Sequence, residues 1–461
     1  MSKYQLTRRE FLKRSMAAAG VVALPASGLL TSCAGTDKLN IASIGVGHRG
    51  WYAIRECMQS ENIVALCDVD SQLAQETIDN AAKEAEENPD QEVQDLSQVP
   101  LFSDYREMLD KLGDRIDAVT VSTPDHHHYP ATMLAMGHGK HVYTEKPLTH
   151  SVGEARALRE GARKYGVVSQ MGNQGHATEG IRLIKEWTQA GVLGEVRHVR
   201  SWSPTLGGIY FTWPDQLPPP TEPPPEHLAW NLWLGPAETR EYSPLYCPRT
   251  WRGWWDFGNG MLGDWACHTL DGPFWALELG APETVEVETA PRNEYHIPEW
   301  SKITWQFPAR GDMPPVTLEW LEGEQMKPEP PDRWDSEQEI PDRAMVMIGE
   351  KTSLFTGGRP NSPRILPNSV FQDLKQDPPP KSIPRVEGGP VQEWLRAVKG
   401  EGPMPGSSFD YAARLTEMVL LGVLAMRTGE RIEWDGEQGE ITNNPSLNEF
   451  IAVQARDGWR V

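Results

Sequence analysis

A glycine-rich loop between a predicted strand and a predicted helix constrains this chain more than any other feature. The apolar run Leu39–Ile44 leads directly into Gly45-Val46-Gly47-His48-Arg49-Gly50, and a helical stretch begins at Trp51. In such a loop the first glycine permits the turn, the second lets the backbone approach a pyrophosphate, and the third lets helix pack on strand. The phosphates then lie at the positive end of the helix. The predicted dinucleotide contacts in this loop are Gly45, Gly47, His48, Arg49 and Gly50.

An acidic residue at the end of the next predicted strand indicates which dinucleotide is bound. The strand Ile63–Cys67 ends at Asp68, which lies 18 residues after Gly50. An acid near that spacing accepts hydrogen bonds from the ribose hydroxyls of NAD and repels the 2′-phosphate of NADP. No arginine follows in Asp68-Val69-Asp70, so the sequence predicts NAD.

The first 33 residues predict export from the cytoplasm. Thr7–Lys13 reads T-R-R-E-F-L-K, a twin-arginine signal. The apolar run Met16–Leu30 is shorter than the roughly 20 residues that span a membrane, so it indicates a signal segment. It ends in Leu30-Thr31-Ser32-Cys33, which resembles a lipoprotein processing site. We therefore expect a lipoprotein of the bacterial envelope or periplasm, anchored only by a lipid on Cys33; a cleaved signal with an incidental cysteine is the alternative.

Charge and cysteine content narrow the possible partners. The chain has 461 residues and a net charge of -21, although its first 33 residues are basic. A body this acidic is a poor partner for nucleic acid or an anionic lipid surface, so we expect a small molecule and no nucleic acid. The four cysteines after Cys33 lack a C-x-x-C pattern and zinc spacing. We expect them to be buried free thiols.

Two further strand ends carry polar groups. Asp117–Ser122 is a predicted buried strand that leads into Thr123–Asp125 and three consecutive histidines, 126–128. Ligands of an open parallel sheet bind at this edge. Adjacent imidazoles on a turn point in different directions, so we expect no metal site. The next predicted strand, His141–Tyr143, leads into Glu145-Lys146-Pro147, where a lysine can hydrogen-bond a substrate hydroxyl.

These segments together resemble one family. Gly45–Gly50, Asp68, Thr123–Asp125 with His128, and Glu145–Pro147 occur in the order found in the glucose–fructose oxidoreductase / inositol dehydrogenase / MocA superfamily. The chain also resembles the exported, tryptophan-rich bacterial branch, in 171–176 (M-G-N-Q-G-H) and 251–256 (W-R-G-W-W-D). The resemblance covers nearly all of the chain after residue 33. It implies an NAD-dependent oxidoreductase.

The resemblance implies an α/β fold of two domains. A signal would occupy 1–33, an NAD-binding Rossmann domain 34–172, and a substrate-binding α+β domain 173–461. The second domain would contain an open, mostly antiparallel sheet. One face of that sheet would cover the cofactor cleft and the other could pair subunits, so we expect a homo-oligomer.

The resemblance also assigns contacts around the cofactor. It places His126 and His128 near the nicotinamide and substrate mouth, and leaves His127 as a packing or surface residue. The cofactor-binding residues that it adds to the glycine loop and Asp68 are Ser122, Thr123, Pro124, His128, Glu145, Lys146 and Asn173.

A second polar pair lies far along the chain. The pattern after Gly263 is helical, which puts Asp264 and His268 one turn apart on the same face. On spacing alone they would be a surface pair, but the resemblance places both beside Lys146 and the nicotinamide. A histidine there can take the proton of a hydroxyl as the hydride leaves. Lys146 would polarise the same oxygen, and Asp264 would orient the substrate or tune the imidazole.

The tryptophans favour a carbohydrate substrate. Residues 202–275 hold nine of the 18 tryptophans, among long loops that include the polyproline-like Leu217–Pro225. Indole rings around a cleft suit the C–H faces of sugars, although we expect more than half of them to anchor the loops. Residues 322–390 are rich in Pro, Asp and Glu, and we expect loops and short strands without an assigned role.

The expected function is therefore NAD-dependent oxidation of a sugar or glycoside hydroxyl, at C3 of the ring, or the reverse. The cofactor is expected to stay bound and to be recycled. Because oxidation acidifies the neighbouring C–H, the first alternative is an NAD-dependent glycosidase that oxidises, eliminates, hydrates and reduces. A non-catalytic sugar-binding envelope lipoprotein is the second, and the presence of Lys146, Asp264 and His268 argues against it.

Overall fold

The first sheet forms as the glycine loop predicts. The computed structural model describes residues 38–204, 210–334, 339–452 and 455–461, so the predicted signal and Cys33 lie outside the described residues. Six strands pair in parallel in the order β3-β2-β1-β4-β5-β6 within these residues. This order is typical of a dinucleotide-binding domain. The strands are β1 Asn40–Ile44, β2 Asn62–Cys67, β3 Leu101–Phe102, β4 Ala118–Val121, β5 His141–Thr144 and β6 Ser169–Met171.

Side-chain caps fix where several helices of this domain begin. The Asp70 carboxylate accepts hydrogen bonds from two N–H groups of α2, and the Asp104 carboxylate accepts one from the Arg106 N–H of α3. Ser151 and Glu154 form a reciprocal capping box at α5. The helices are α1 Arg49–Met58, α2 Ser71–Glu87, α3 Tyr105–Leu112, α4 Asp125–Gly137 and α5 Val152–Tyr165.

The prediction of a turn at the histidine run was wrong. Helix α4 begins at Asp125, so all three histidines lie in its first two turns. They are buried, with exposed fractions of 2%, 4% and 1% for His126, His127 and His128. Because these imidazoles fill core positions that apolar side chains usually occupy, the apolar periodicity of the sequence did not show the helix.

The second sheet is open and mostly antiparallel, as the family resemblance implied. In the described part of the chain its strand order is β13-β12-β11-β7-β10-β9-β8-β14-β15, and only β7 and β10 pair in parallel. The strands are β7 Val196–Ser203, β8 Thr284–Thr289, β9 Ser301–Phe307, β10 Val316–Glu322, β11 Ala344–Gly349, β12 Ser353–Gly357, β13 Arg364–Leu366, β14 Ile432–Asp435 and β15 Glu440–Ile441.

One face of this sheet is covered by helices. Trp305 of β9 is fully buried and donates from its indole N–H to the Met418 carbonyl at 3.0 Å. Gly422 makes this close packing possible, since a Cβ there would lie 2.5 Å from the Trp305 ring. The helices of this half are α6 Glu179–Gln189, α7 Trp230–Leu234, α8 Gly260–Thr269, α9 Asp271–Ala276, α10 Asn368–Gln376, α11 Gly389–Val398 and α12 Phe409–Thr428.

The opposite face of the sheet carries charged side chains. Arg200 pairs with Glu319 at 2.8 Å, and Lys302 pairs with Glu288 at 3.2 Å. Alternation along each strand therefore divides the sheet into an apolar inner face and a polar outer face.

The late part of the chain is more regular than its composition predicts. Residues 322–390 contain the short strands β11–β13, as expected, and also helix α10, which the sequence did not predict. Helix α11 then returns to the first domain, where Trp394 packs among residues of the parallel sheet and the Gln392 side chain donates to Glu56 O at 2.7 Å. The C-terminal half of the chain thus also covers part of the first sheet.

Two other expectations can be compared with the described residues. Cys57, Cys67, Cys247 and Cys267 are buried and free, as expected. None of the helices described is long and apolar enough to cross a membrane.

Candidate active site

A cleft of about 790 Å³ follows the carboxyl ends of the parallel strands. Its volume lies within the range of about 300–1,000 Å³ that is typical of ligand sites. The floor comes from the loops after β1, β2, β4 and β5, and the opposite wall comes from residues between 225 and 268. The sequence-predicted residues that line it are Gly45, Gly47, His48, Arg49, Asp68, Ser122, Thr123, Pro124, His128, Glu145, Lys146, Asp264 and His268.

The glycines of the first loop are sterically required. Gly45 has φ +74, and a Cβ there would lie 2.7 Å from the Ser122 backbone. A Cβ at Gly50 would lie 2.0 Å from the Gly45 carbonyl oxygen. Gly50 is itself in α1, which begins at Arg49, and His48 precedes the helix with φ 45. The loop therefore leaves its backbone N–H groups accessible at the N-terminus of α1, where a pyrophosphate can approach them closely.

Asp68 connects the end of β2 to the glycine loop. One carboxylate oxygen accepts from Val46 N at 2.9 Å and Gly47 N at 3.5 Å, and the other accepts from Asp70 N at 3.0 Å. Burial raises the pKa of Asp68 more than these N–H groups lower it. The carboxylate also lines the cleft, so its remaining lone pairs can accept ribose hydroxyls.

Several buried polar atoms on the cleft lack a partner among the described residues. A buried polar atom without a hydrogen bond costs about 1–3 kcal/mol, so this concentration indicates that a polar ligand completes the site. The atoms are Arg49 Nη2, Ser122 Oγ, Thr123 Oγ1, Glu145 Oε2 and His268 Nδ1. With the glycine loop and Asp68, they fit a dinucleotide that extends across the sheet.

The two ends of the cleft are far apart. Asp68 follows β2 and Lys146 follows β5, which is three strands away in the sheet. At about 4.8 Å per strand the separation is about 14 Å. Asp68 therefore marks the adenosine end, and Lys146 marks the end at which the nicotinamide would react.

An ion pair between the two halves of the molecule forms the reactive end. Lys146 Nζ lies 2.6 Å from Asp264 Oδ1 and donates to the Asp264 carbonyl at 2.8 Å. Arg252 Nε lies 3.4 Å from the same carboxylate oxygen. Burial would raise the pKa of Asp264, but the charges of Lys146 and Arg252 outweigh it and hold that pKa well below its usual range. Asp264 is therefore ionised at neutral pH.

His268 lies one helical turn after Asp264 and is only 2% exposed. Burial lowers its pKa well below 6.5, and the Lys146 charge lowers it further, while Asp264 acts in the opposite direction. The ring is therefore neutral at neutral pH and can accept a proton or a hydrogen bond. Helix α8 begins at Gly260, four residues before the predicted start at Asp264, and carries both side chains to the cleft.

Burial also shifts the pKa of other titratable groups, lowering it in histidines and raising it in carboxyl groups. The pKa is lowered by burial, to about 4 or well below the usual 6.5, in six histidines: His126, His127, His128, His150, His268 and His296. The pKa is raised by burial to about 7 in three carboxyl groups: Asp125, Glu154 and Glu322. Only Asp125 among these carboxyl groups lines the cleft.

The histidine run is arranged differently from the expectation. His126 does not line the cleft, because its ring nitrogens lie 3.0 Å from Trp233 O and 3.3 Å from Phe257 O. His127, expected to be a packing or surface residue, does line it. His128 connects two loops of the floor, with ring nitrogens 2.7 Å from Pro147 O and 2.9 Å from Thr123 O. No group of three His, Cys, Asp or Glu side chains in the described part is placed to hold a metal.

Asn173 is turned away from the cofactor cleft. Its amide donates to buried Asp271 at 2.9 Å and accepts from Ser407 at 2.5 Å. His176 and Tyr411 bind the same Asp271 carboxylate, at 2.9 and 2.6 Å. Because this network occupies its side chain, Asn173 anchors the chain after β6, and it is not among the residues that line the cleft.

The residues on either side of Asn173 do reach the site. A Cβ at Gly172 would lie 2.6 Å from the Glu145 carboxyl carbon, so only glycine leaves room for that group. Glu145 in turn pairs with Arg49 at 2.9 Å. Gln174 lines the cleft.

The tryptophans mainly support the structure, as expected. Trp202, Trp254 and Trp255 are 1–2% exposed and lie in the core. Trp233, Trp251 and Trp265 line the cleft. The Trp265 indole N–H is buried without a partner among the described residues.

Two family models match the chain. The "oxidoreductase family, NAD-binding Rossmann fold" model of GFO_IDH_MocA covers residues 39–173, and the model of its C-terminal alpha/beta domain covers 178–323. The chain belongs to the Gfo/Idh/MocA oxidoreductase family. Its α/β fold and its NAD cofactor agree with the arrangement of the cleft.

Curated relatives match over part of the chain. A glycosyl hydrolase family 109 protein of Shewanella baltica is 29% identical over 166 residues, 35% of this chain and 34% of that protein. Levoglucosan dehydrogenase of Pseudarthrobacter phenanthrenivorans is 25% identical over 169 residues, 37% of this chain and 34% of that enzyme. The matched segment thus spans about a third of each relative's length.

Solved structures of dehydrogenases match over most of the chain. The WlbA dehydrogenase of Chromobacterium violaceum, in complex with NADH and UDP-GlcNAcA, gives a TM-score of 0.57 at 17% identity, covering 86% of this chain and 96% of that one. Levoglucosan dehydrogenase, in complex with NADH and levoglucosan, gives a TM-score of 0.56 at 15% identity, and the match covers 86% of this chain and 99% of that one. At these identities the likeness establishes the fold.

Sequence reasoning missed three charged residues of this Gfo/Idh/MocA site. Asp125 was part of a recognised pattern but had no role, and Arg252 was part of another. Arg359 lines the cleft from the link between β12 and β13. The pattern around Trp251 could have indicated Arg252, whereas no local signal indicates Arg359.

Proposed function

We propose that this oxidoreductase acts on a hydroxyl group of a sugar or glycoside, at C3 of the ring, in either direction. The observation that carries the proposal is the 2.6 Å Lys146–Asp264 pair beside buried His268, at the end of the cleft away from Asp68. An ammonium donor and a neutral imidazole are the two groups that oxidation of an alcohol needs around its oxygen.

Each side chain has a defined role in this reaction. NAD⁺ in the cleft would supply the acceptor for the hydride of the carbinol carbon. Lys146 donates a hydrogen bond to the hydroxyl oxygen, and His268 takes the hydroxyl proton as the C=O bond forms. Asp264 holds Lys146 in place and stabilises the protonated imidazole one turn away. Reduction of a ketosugar reverses these transfers.

We also propose that the cofactor remains bound between turnovers and is recycled by the reverse step or a second sugar. Segment 225–249 supports this, because it borders the adenosine end of the cleft. Ser71 N donates to His227 O at 3.0 Å, and Ala229 N donates to Val69 O at 2.8 Å. Arg249 reaches His48 at 3.3 Å across the glycine loop. Contacts of this kind beside the adenosine end would slow release of a bound cofactor.

The test uses protein purified without added cofactor. Absorbance of reduced nicotinamide is followed while glycosides and disaccharides are added, with Lys146→Ala as the matched variant. An absorbance rise in the wild type alone supports both retention of NAD and oxidation of the added sugar. If NAD is released on denaturation but no sugar reduces it before denaturation, the oxidation proposal fails for that panel and a non-catalytic sugar-binding role gains support.

A glycosidase is the second candidate. Relatives from Shewanella carry the name glycosyl hydrolase family 109 protein. Asp125 favours it in this chain: burial raises its pKa to about 7, despite the charges of Arg252 and Lys146, so it can exchange a proton during elimination and hydration. Product analysis separates the candidates, since oxidation alone leaves a ketosugar attached to its aglycone and the full cycle releases a free sugar.

For location, we propose a twin-arginine-exported lipoprotein of the bacterial envelope, anchored by a lipid on Cys33. The pattern in residues 7–33 supports this. Labelling with a radioactive fatty acid should mark the wild type and fail to mark Cys33→Ser. We also propose a homo-oligomer, to be tested by sedimentation of the protein lacking residues 1–33.

A further inference from the structure

Arg359 is a cation at the reactive end that forms no ion pair with any acidic side chain among the described residues. It lies in the link between β12 and β13 and lines the cleft together with Lys146, Trp265 and His268. Its guanidinium carbon lies 4.9 Å from the centroid of the Trp265 ring. In the described part of the chain the Arg359 side chain has no hydrogen bond and no ion pair, and it remains solvent-exposed.

Backbone contacts fix the position of Arg359 on both sides. Thr269 Oγ1 donates to Gly358 O at 2.9 Å, which ties the link to helix α8. On the other side Pro360 packs against Gly180, where a Cβ would lie 2.0 Å from the Pro360 carbonyl oxygen. The residues before and after Arg359 are therefore clamped to two helices, and the side chain is held at the cleft mouth.

The charges at this end do not balance. Glu145 pairs with Arg49, and Asp264 pairs with both Lys146 and Arg252. The third acid there is Asp125, whose pKa burial raises to about 7, so it is only partly ionised. Among the described residues at this end a positive excess therefore persists, in a chain whose net charge is -21. The oxidised nicotinamide ring is itself cationic, so the cofactor's reactive end does not supply the missing negative charge.

We propose, building on the oxidoreductase function above, that the substrate is an acidic sugar whose carboxylate binds Arg359. A guanidinium matches a carboxylate through two parallel hydrogen bonds. In a hexuronic acid ring the carboxylate is attached at C5, and the C2 and C3 hydroxyls lie across the ring. With the carboxylate at the mouth, those hydroxyls face the interior, where Lys146 and His268 lie.

The test measures binding separately from reaction. Protein saturated with NADH is titrated calorimetrically with methyl uronides of the gluco, galacto and manno series, the matching neutral methyl glycosides and the sugar 6-sulfates. At least one uronide should bind about tenfold more tightly than its neutral counterpart, as expected for a hydrogen-bonded ion pair worth about 1.4 kcal/mol or more. Arg359→Ala should abolish that difference and Arg359→Lys should restore part of it. Arg364→Ala, which removes an exposed arginine from the adjoining β13, should have no effect.

Three results would overturn the proposal. They are equal affinity for uronides and neutral glycosides, an equal loss in Arg359→Ala and Arg364→Ala, and tighter binding of the 6-sulfates than of every uronide. A parallel assay of NAD⁺ reduction separates this proposal from the function on which it rests. Uronides that bind through Arg359 without reducing NAD⁺ would support the acidic ligand and refute oxidation. If neutral glycosides react while uronides neither bind nor react, the result would support oxidation and refute the acidic ligand.

Discussion

Substitution of Asp68 tests how the cleft selects NAD over NADP without knowledge of the sugar. Asp68→Asn keeps the size of the side chain and removes its charge. At a contact distance of about 4 Å, two unit charges interact by about 4 kcal/mol at an effective dielectric constant of about 20. This corresponds to about three powers of ten in affinity. Because three backbone N–H groups already share the Asp68 charge, we expect the wild type to prefer NAD⁺ by about two powers of ten.

In Asp68→Asn the preference should fall to about tenfold or less. NAD⁺ itself should bind more weakly, since one amide oxygen cannot accept from all three N–H groups. Calorimetric titration of cofactor-stripped protein with NAD⁺ and NADP⁺ measures both effects. Asp104→Asn is the matched control, because Asp104 caps α3 outside the cleft and asparagine caps helices equally well. An unchanged NAD⁺ to NADP⁺ ratio in Asp68→Asn would refute the assignment of Asp68.

Three further predictions follow from the same geometry. Lys146→Met should slow hydride transfer by about 10²–10³-fold, as loss of a preorganised donor does, while the cofactor content stays unchanged. Stopped-flow absorbance measures the rate of hydride transfer, and a rate within tenfold of the wild type would contradict the prediction. Gly172→Ala should lower the free energy of unfolding by about 1–3 kcal/mol, because its methyl group meets Glu145, whereas Gly357→Ala, with nothing within 4 Å, should leave thermal unfolding unchanged. The six buried histidines contribute stability that is present above pH 6.5 and lost below it, and the three buried carboxyl groups with a pKa of about 7 contribute in the opposite direction. Because these histidines outnumber these carboxyl groups, we expect the free energy of unfolding to fall as the pH falls from 6.5 to 5, and melting temperatures that stay flat over that range would contradict this.

The sequence predicted the parts of the site that depend on local spacing. The glycine loop, Asp68 and Lys146 each lie at the end of a short apolar strand, and the topology of a parallel sheet brings those ends to one edge. Asp264 and His268 were paired by helical spacing, but only the family resemblance placed them at the cleft.

The parts that were missed depend on contacts between distant segments. Asn173 was expected in the cleft, but its amide is bound by Asp271, which lies 98 residues later. Arg359 reaches the site because Pro360 packs on Gly180, which lies 180 residues earlier in the chain. No local pattern in residues 322–390 indicates such a contact, so composition alone predicted loops and short strands without a role.

The Lys146–Asp264 pair affects how enzymes of this family can be recombined. Lys146 belongs to the half that holds NAD, and Asp264 belongs to the half that carries the cleft's opposite wall and Arg359. If the second half were exchanged between two family members, the residues that select the substrate would be exchanged together. The acid that pairs with the lysine, Asp264 in this chain, would be exchanged with them. A chimera would thus keep a matched pair only when the incoming half has an acid one turn before its histidine, and this single position can serve as the first filter in designing functional hybrids.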